Sequence, residues 1–432
     1  MRIYIGTWGN PLSWREVEYD CMEVPRQGSG NSERRHGIAS IVCADNYDKY
    51  IIYAVDSVLT ASVSKSAGNS ITEECAKEQN ILTDLGDGKA VMPPPGSDIR
   101  DLRSWRDMAR NYIRCISSKI ISNTDIILTA SRGTFTLYKD ISWKYEASYP
   151  ATIVGELLWG LWQKVKDEGV EGDQVDLDID LTHGINFMPA LTLHVGRFLA
   201  SLLLMKGARK VMIRAFNATP GDWLYMKFLS EDMATIEVPA QPRSPIIEAL
   251  GKGLPLVMHR LCNDNLHSVA DDVFNYVEAS IDLNGRTVKY KNPGINVERL
   301  YESLLEQLAC KRSTNKLSQL LNSELFSKVN KTIEAMVKHE LNNMKNGIDR
   351  ASPDVMKQLN NNEKVKYSKV LPWECVERQD ECSPCPGGND RNLIAHAGLL
   401  RECTSIRKSD SDYVIEIDDK VLSCLDNTRD EN

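Results

Sequence analysis

The chain has 432 residues, of which 42% are hydrophobic and 26% charged, and a formal net charge of −8. That length predicts about three structural units, and the composition is that of a chain able to bury a sizeable core, which excludes a disordered or disulfide-scaffolded class. The acidic balance excludes a surface that gathers polyanions everywhere, so any contact with nucleic acid has to be local.

The N-terminal run Met1 to Gly6 leads straight into a strand pattern without the apolar core and cleavage site of a secretion signal. Through Pro220, short β-rich runs alternate with amphipathic helices, the pattern of a parallel α/β fold. Strands are expected at Arg2 to Ile5, Tyr50 to Val55, Asp125 to Thr129, Val175 to Leu181 and Lys210 to Ala215. Helices are expected at Asp98 to Ile121, capped at Ser97 or Asp98, at Thr152 to Asp167 and at Ala190 to Lys206. In the fourth strand Asp176, Asp178 and Asp180 alternate with apolar residues, which predicts one wet face and favours simple solvation over a metal site. The most apolar stretch, Phe198 to Met205, is far shorter than the ~20 residues of a membrane-spanning helix, so no membrane segment is expected.

Three loops at expected strand ends carry ligand-type chemistry. The first is Gly6-Thr7-Trp8-Gly9-Asn10, where glycines admit a ligand backbone and Trp8 or Trp14 offers a ring for stacking. The second is Ser131-Arg132-Gly133-Thr134, and the third is Thr182-His183-Gly184-Ile185-Asn186. None matches the glycine patterns of dinucleotide or phosphate loops, so bound NAD or hydrolysed ATP is not expected.

From Ala240 to Pro255 the composition shifts to proline, glycine and small residues, which marks a boundary. Beyond it, Ala279 to Leu283 and Arg286 to Tyr290 flank Asn284-Gly285, the signature of a hairpin with a tight two-residue turn. After Pro293-Gly294 the chain becomes helical, with segments at Val297 to Cys310, Leu317 to Met344 and Asp354 to Leu359. Polar and loop stretches follow at Gln358 to Lys366 and Pro372 to Asn389, then a strand-like run at Tyr413 to Ile417 and an acidic tail expected to fray.

The sharpest signal is the run Gly387 to Gly398. Two glycines and a capping Asn389 or Asp390 start a helix near Arg391, with Asn392 and His396 four residues apart on one face. Metal-free RNA cleavage needs a group to move the 2′-hydroxyl or leaving-group proton and a cation to steady the phosphorane, and a histidine with an arginine fits both needs.

This run resembles the R-N-x-x-x-H motif of HEPN-domain ribonucleases, and Asp180-Leu181-Thr182-His183-Gly184-Ile185-Asn186-Phe187-Met188-Pro189 resembles the ligand loop of CARF sensor domains. Together they resemble the plan of the CARF–HEPN ancillary ribonucleases of type III CRISPR systems over nearly the whole chain. The resemblance implies a Rossmann-like sensor with helices on both faces over residues 1–240. A linking module over 241–294 would carry the hairpin and a helix-turn-helix-like pair, and a helical HEPN domain would cover 295–432. It implies Arg391, Asn392 and His396 as catalytic residues of a composite site between two protomers, acting on single-stranded RNA without a metal and leaving 2′,3′-cyclic phosphate ends. The activator implied is a cyclic oligoadenylate, the four-membered ring above others, bound at Gly6, Thr7, Trp8, Gly9, Asn10, Ser131, Arg132, Gly133, Thr134, Thr182, His183, Gly184 and Asn186. Oligomeric state beyond the dimer stays open.

The 11 scattered cysteines give no framework of bridges, which points to a cytoplasmic protein. Cys375, Cys382, Cys385 and Cys403 depart from the family pattern, and for them a disulfide or free thiols are favoured over zinc. Two other readings stay open: a nucleotide-responsive, DNA-binding transcription regulator using Ile246 to Ala279, and a small-molecule α/β enzyme using His183.

Overall fold

A computed structural model of the chain describes residues 1–21, 34–64, 68–94, 99, 101–138, 141–147, 151–185, 187–219, 224–264, 278–291, 296–370 and 391–422. The chain divides into two compact units. One comprises residues 1–234 and 271–301, the other 235–270 and 302–432, so the 241–294 segment is shared between them.

The first unit is built on an eight-stranded mixed sheet. In spatial order its strands are Arg34–Gly37, Val17–Asp20, Leu224–Met233, Lys210–Thr219, Gln174–His183, Arg2–Trp8, Lys49–Val55 and Thr124–Thr129. The five strands expected from the sequence are all present, and they pair parallel to one another. Period-two alternation sends Ile52, Ala54, Ile126 and Leu128 to one face, where they pack with Leu102, Trp105, Ala109 and Ile113 of the Leu102–Ser118 helix. On the other face Gly160 of the Ala151–Val165 helix sits against Ile127, and Gly196 of the Met188–Lys206 helix against Ile179. Helices therefore cover both faces, as expected of the fold class.

Several local expectations change. The helix expected from Asp98 starts at Leu102, capped by Asp101, whose carboxylate accepts the Ser104 N–H at 2.7 Å; Ser97 and Asp98 lie outside the described residues. The apolar run Phe198 to Met205 belongs to the 19-residue Met188–Lys206 helix, which by length and composition alone could cross a membrane but is mostly buried within this unit.

The carboxylate face of the Gln174–His183 strand is not wet. Asp178 and Asp180 are buried, and Arg214, directly opposite Asp178 on the neighbouring strand, holds it at 2.6 Å and reaches Asp176 at 2.9 Å. The Tyr47 hydroxyl donates to Asp178 at 2.5 Å and that of Tyr4 to Asp180 at 2.7 Å. A row of carboxylates that reads as solvated is thus satisfied by charge and hydroxyl partners from other elements.

The expected hairpin forms between Ala279–Asp282 and Thr287–Tyr290, but residues 283–286 make a four-residue loop rather than a two-residue turn. Asp282 accepts the N–H groups of Asn284 and Gly285, an arrangement that favours the wider loop. The hairpin belongs to the first unit, where Thr287–Tyr290 extends a four-stranded sheet with Ile141–Glu146 and Arg132–Tyr138.

The second unit is mainly helical, with a small antiparallel sheet of Val365–Lys366, Thr404–Ser409 and Asp412–Ile417. Pro245–Lys252 and Pro255–Asp264 form a helix pair. Ser244 caps the first helix and Gly253, at φ 70°, ends it in the left-handed region open to glycine. The long helix expected over Leu317 to Met344 is three, Leu317–Leu321, Leu325–Val329 and Lys331–Asp349, with Asn330 capping the last through the Thr332 N–H. The loop Pro372 to Asn389 and the acidic tail from 423 onward lie outside the described residues.

Cysteines contradict the expectation of no bridging framework. Disulfides join Cys21 to Cys43, Cys75 to Cys115 and Cys262 to Cys310, and Cys403 is also disulfide-bonded. Cys375, Cys382 and Cys385 lie outside the described residues.

Candidate functional site

The C-terminal ends of the parallel strands share one edge of the first unit, and the first and third loop candidates meet there. Trp8 pairs with His183, and the Gly9 N–H donates to the His183 carbonyl at 2.6 Å. A Cβ at Gly9 would lie 2.7 Å from that oxygen, so only glycine lets the strands close. The Thr7 hydroxyl donates to the Asp180 carbonyl at 3.1 Å, and Thr182 Oγ1 accepts the Ala218 N–H at 3.0 Å. Gly6, Thr7, Trp8 and Gly9 are buried, whereas Asn10, Thr182, His183 and Gly184 are half-buried at the edge. Trp8 packs edge-on to Trp14, and neither ring lies open to solvent for stacking. Asn186 lies outside the described residues.

His183 has the most constrained environment of the group. The Ser40 N–H donates to its Nε2 at 3.0 Å, the Tyr19 hydroxyl lies 3.2 Å from the same atom, and the Trp14 ring is 4.4 Å away. A backbone N–H can only donate, so Nε2 is the acceptor and the ring proton sits on Nδ1. Burial lowers the imidazole to about 4, with Asp180 opposing part of the shift, so His183 is neutral at physiological pH.

The second stretch lies two strands away. Arg132, Gly133 and Thr134 are not a loop but open the Arg132–Tyr138 strand, with exposed side chains. Ser131 is buried: its Oγ donates to Ser57 Oγ at 2.8 Å and accepts the Ser57 N–H at 3.0 Å, and its own N–H donates to the Tyr290 hydroxyl at 3.1 Å. Beneath it Arg106 grips Glu156 with both terminal nitrogens, at 2.7 and 3.0 Å, and reaches Asp56 at 3.3 Å. Nothing local in the sequence marks Asp56, Arg106, Glu156 and Tyr290 as one cluster, because they come from four separate elements.

In the second unit a helix begins at Arg391 as expected, but it ends at Ala395, and His396 stands in the turn that follows. Ala397 and Gly398 take left-handed angles of 50° and 77°, and their N–H groups close on the carbonyls of Ile394 and Leu393. Gly398 lies against Leu254 and Val257, so residues at the end of the Pro-rich boundary and in the helix that follows it support the motif turn. The His396 side chain is 44% exposed, and its Nδ1 lies 3.5 Å from Glu340 Oε2 on the Lys331–Asp349 helix. Of the motif side chains, His396 alone is among the described ones. Sequence reasoning missed Glu340, which lies 56 positions upstream on a helix rich in similar residues.

Among the described residues, one grouping has metal-ligand chemistry, Cys75, Glu78 and Cys115, and the disulfide takes up both of its sulfurs.

A parallel α/β unit with ligand-type strand ends, followed by a helical unit with an R-N-x-x-x-H turn, places the chain among CRISPR-associated CARF–HEPN proteins. Within that class the comparisons are specific: the family model described as "CRISPR system endoribonuclease Csx1, CARF domain" matches residues 3–220, just over half of the chain, and the HEPN-domain model of Csx1 matches residues 330–417. The chain belongs to the Csx1 family. It is similar to the CRISPR system endoribonuclease Csx1 of Methanocaldococcus jannaschii, with 26% identity over 219 residues. That stretch is 51% of this chain and 37% of the relative, so the match spans well under half of the relative's length.

Proposed function

We propose that the chain is an endoribonuclease of type III CRISPR antiviral defence that cleaves single-stranded RNA when a cyclic oligoadenylate, foremost the four-membered ring, occupies the strand-end site of the first unit. Two copies bring their Arg391–His396 segments together into one composite centre. In each cleavage a 2′-hydroxyl attacks the adjacent phosphorus, His396 serves proton transfer, and Arg391 steadies the charge of the phosphorane, with Asn392 holding a phosphate oxygen. The 5′-oxygen leaves with a proton, and a 2′,3′-cyclic phosphate remains, so no metal is required. Activation is allosteric: the ligand must bind the active arrangement more tightly than the resting one.

The observation that carries this reading is the half-exposed imidazole of His396, held at the end of the motif helix with one nitrogen facing a carboxylate. The test is cleavage of labelled single-stranded RNA in EDTA against a panel of cyclic oligoadenylates of different ring size. Cleavage should require the activator, peak with the four-membered ring, and fall by on the order of 10³-fold or more in Arg391→Ala and in His396→Ala. Activity that survives both substitutions, or that disappears in EDTA, overturns the assignment.

A further inference from the structure

We infer that Glu340 is the positioning residue for His396, a role that rests on the ribonuclease reading above. Glu340 sits mid-way along the Lys331–Asp349 helix, which Asn330 caps and which buried Val337, Leu341 and Met344 anchor in the second unit. Its backbone is therefore fixed, and its side chain is only 13% exposed. His396 is fixed independently. The turn after it is closed by the Ala397, Gly398 and Leu399 N–H groups, which donate to Ile394, Leu393 and His396 at 3.0, 2.8 and 2.8 Å. Two rigid supports thus bring a carboxylate and an imidazole to 3.5 Å, an ion-pair separation that a substrate-driven tightening can turn into a hydrogen bond.

The consequence is chemical. A carboxylate beside Nδ1 keeps the ring proton on that atom, so Nε2 carries the lone pair that takes the 2′-hydroxyl proton, and the same carboxylate stabilises the imidazolium that results. Among the described residues Nε2 has no protein partner, which leaves it available to RNA. Among the described residues, Glu340 also acts on the phenol of Tyr367, whose pKa is raised to about 12 by burial and then by Glu340, and Arg401 opposes that shift. Glu340 touches no substrate in this scheme and acts through His396.

The test is RNA cleavage by Glu340→Gln at saturating activator, beside His396→Ala in the full chain. Glu340→Gln should lower kcat on the order of 10²-fold with KM for RNA unchanged, because the imidazolium formed during the reaction loses its counter-charge. If His396→Ala abolishes cleavage while Glu340→Gln keeps the wild-type kcat, the positioning role is wrong and the ribonuclease reading stands. If His396→Ala cleaves normally, the ribonuclease reading itself fails. Should Glu340→Gln not fold, Glu340→Asp is read instead: it keeps the charge but withdraws it by one methylene, so a lowered kcat at unchanged KM supports the role and an unchanged kcat overturns it.

Discussion

The hydroxyl of Tyr290 lies 2.7 Å from each carboxylate oxygen of Asp56, tying the second strand of the hairpin to the end of a sheet strand 234 residues earlier. The same hydroxyl accepts the N–H of Ser131, so one side chain reports on both the buried carboxylate and the second candidate ligand stretch. Tyr290→Phe leaves two buried polar groups short of a partner and is expected to cost about 1–3 kcal/mol in urea unfolding. It should also raise the activator concentration needed for half-maximal cleavage. Unchanged stability would mean that water replaces the hydroxyl.

Asp56 is fully buried, and burial raises its pKa from 3.8 to about 6 even though Arg106 and the Tyr290 hydroxyl pull it down. Between those two values the folded chain holds a proton that the unfolded chain has released, so this residue's contribution to stability falls as pH rises from about 4 to 6. The stability difference between Asp56→Asn and the wild type should therefore shift in favour of the variant by roughly 3 kcal/mol over that range. Chemical denaturation at several pH values measures it, and a flat difference would place the carboxylate in a better-solvated setting.

His183 behaves in the opposite sense. Its folded value of about 4 lies below the ordinary 6.5, so the stability it contributes is present above pH 6.5 and is lost as pH falls toward 4, by about 3 kcal/mol in all. Histidine-selective NMR should find one imidazole that stays neutral at pH 5 with its proton on Nδ1. Changes at Gly9, Thr182 or His183 should raise the activator requirement and leave the cleavage rate at saturation intact. An equal loss at saturating activator would argue that the edge is structural only.

The strands of the first unit are legible in the sequence because most are short β-branched or aliphatic runs, which is how a parallel strand covered on both faces reads. The buried carboxylates were not legible, since alternating Asp176, Asp178 and Asp180 read as a wet face unless their partner is known. The available clue is Arg214, a lone charge in the middle of the apolar run Val211 to Phe216, and register places it opposite Asp178. Likewise Arg132 to Thr134 read as a loop because of Gly133, although Phe135 and Leu137 already alternate as strand residues do. The HEPN-type turn was legible as a motif, but the helix end at Ala395 depends on left-handed angles at Ala397 and Gly398 that local propensity underweights. The disulfides escaped because pairs separated by 22, 40 and 48 residues have no local spacing.

The Asp178–Arg214 pair supplies its own prediction. Asp178 is 1% exposed and Arg214 12%, so Arg214→Met leaves a buried carboxylate with the Tyr47 hydroxyl and a 3.5 Å contact to Arg2. Breaking one side of such a pair costs about 3 kcal/mol, the lower end of the usual range because Arg2 remains. The double change Arg214→Met with Asp178→Leu should recover much of the loss. If the single variant is as stable as wild type in urea unfolding, the carboxylate is not sealed from water.

The Cys262–Cys310 bridge joins the Pro255–Asp264 helix to the Val297–Arg312 helix within the second unit, across 48 residues of chain. Closing a loop of that length removes unfolded-state entropy equivalent to about 4 kcal/mol, an upper value because native strain and residual denatured structure subtract from it. The Pro255–Asp264 helix also contributes Val257, on which Gly398 rests directly after the His396 turn. Removing this bridge alone, with Cys262→Ala and Cys310→Ala, should therefore lower the thermal stability of the second unit and depress RNA cleavage at elevated temperature, while activator binding to the first unit persists. Thiol titration of the denatured, unreduced protein should find no more than three of the 11 cysteines reactive, since the three bridges block six and the bonded Cys403 and its partner two more, and all 11 after reductant. The Cys262→Ala, Cys310→Ala variant separates this bridge from the two of the first unit, which a reductant also opens. If that variant melts and cleaves as the oxidised protein does, the bridge holds nothing that the packing of the two helices does not already hold.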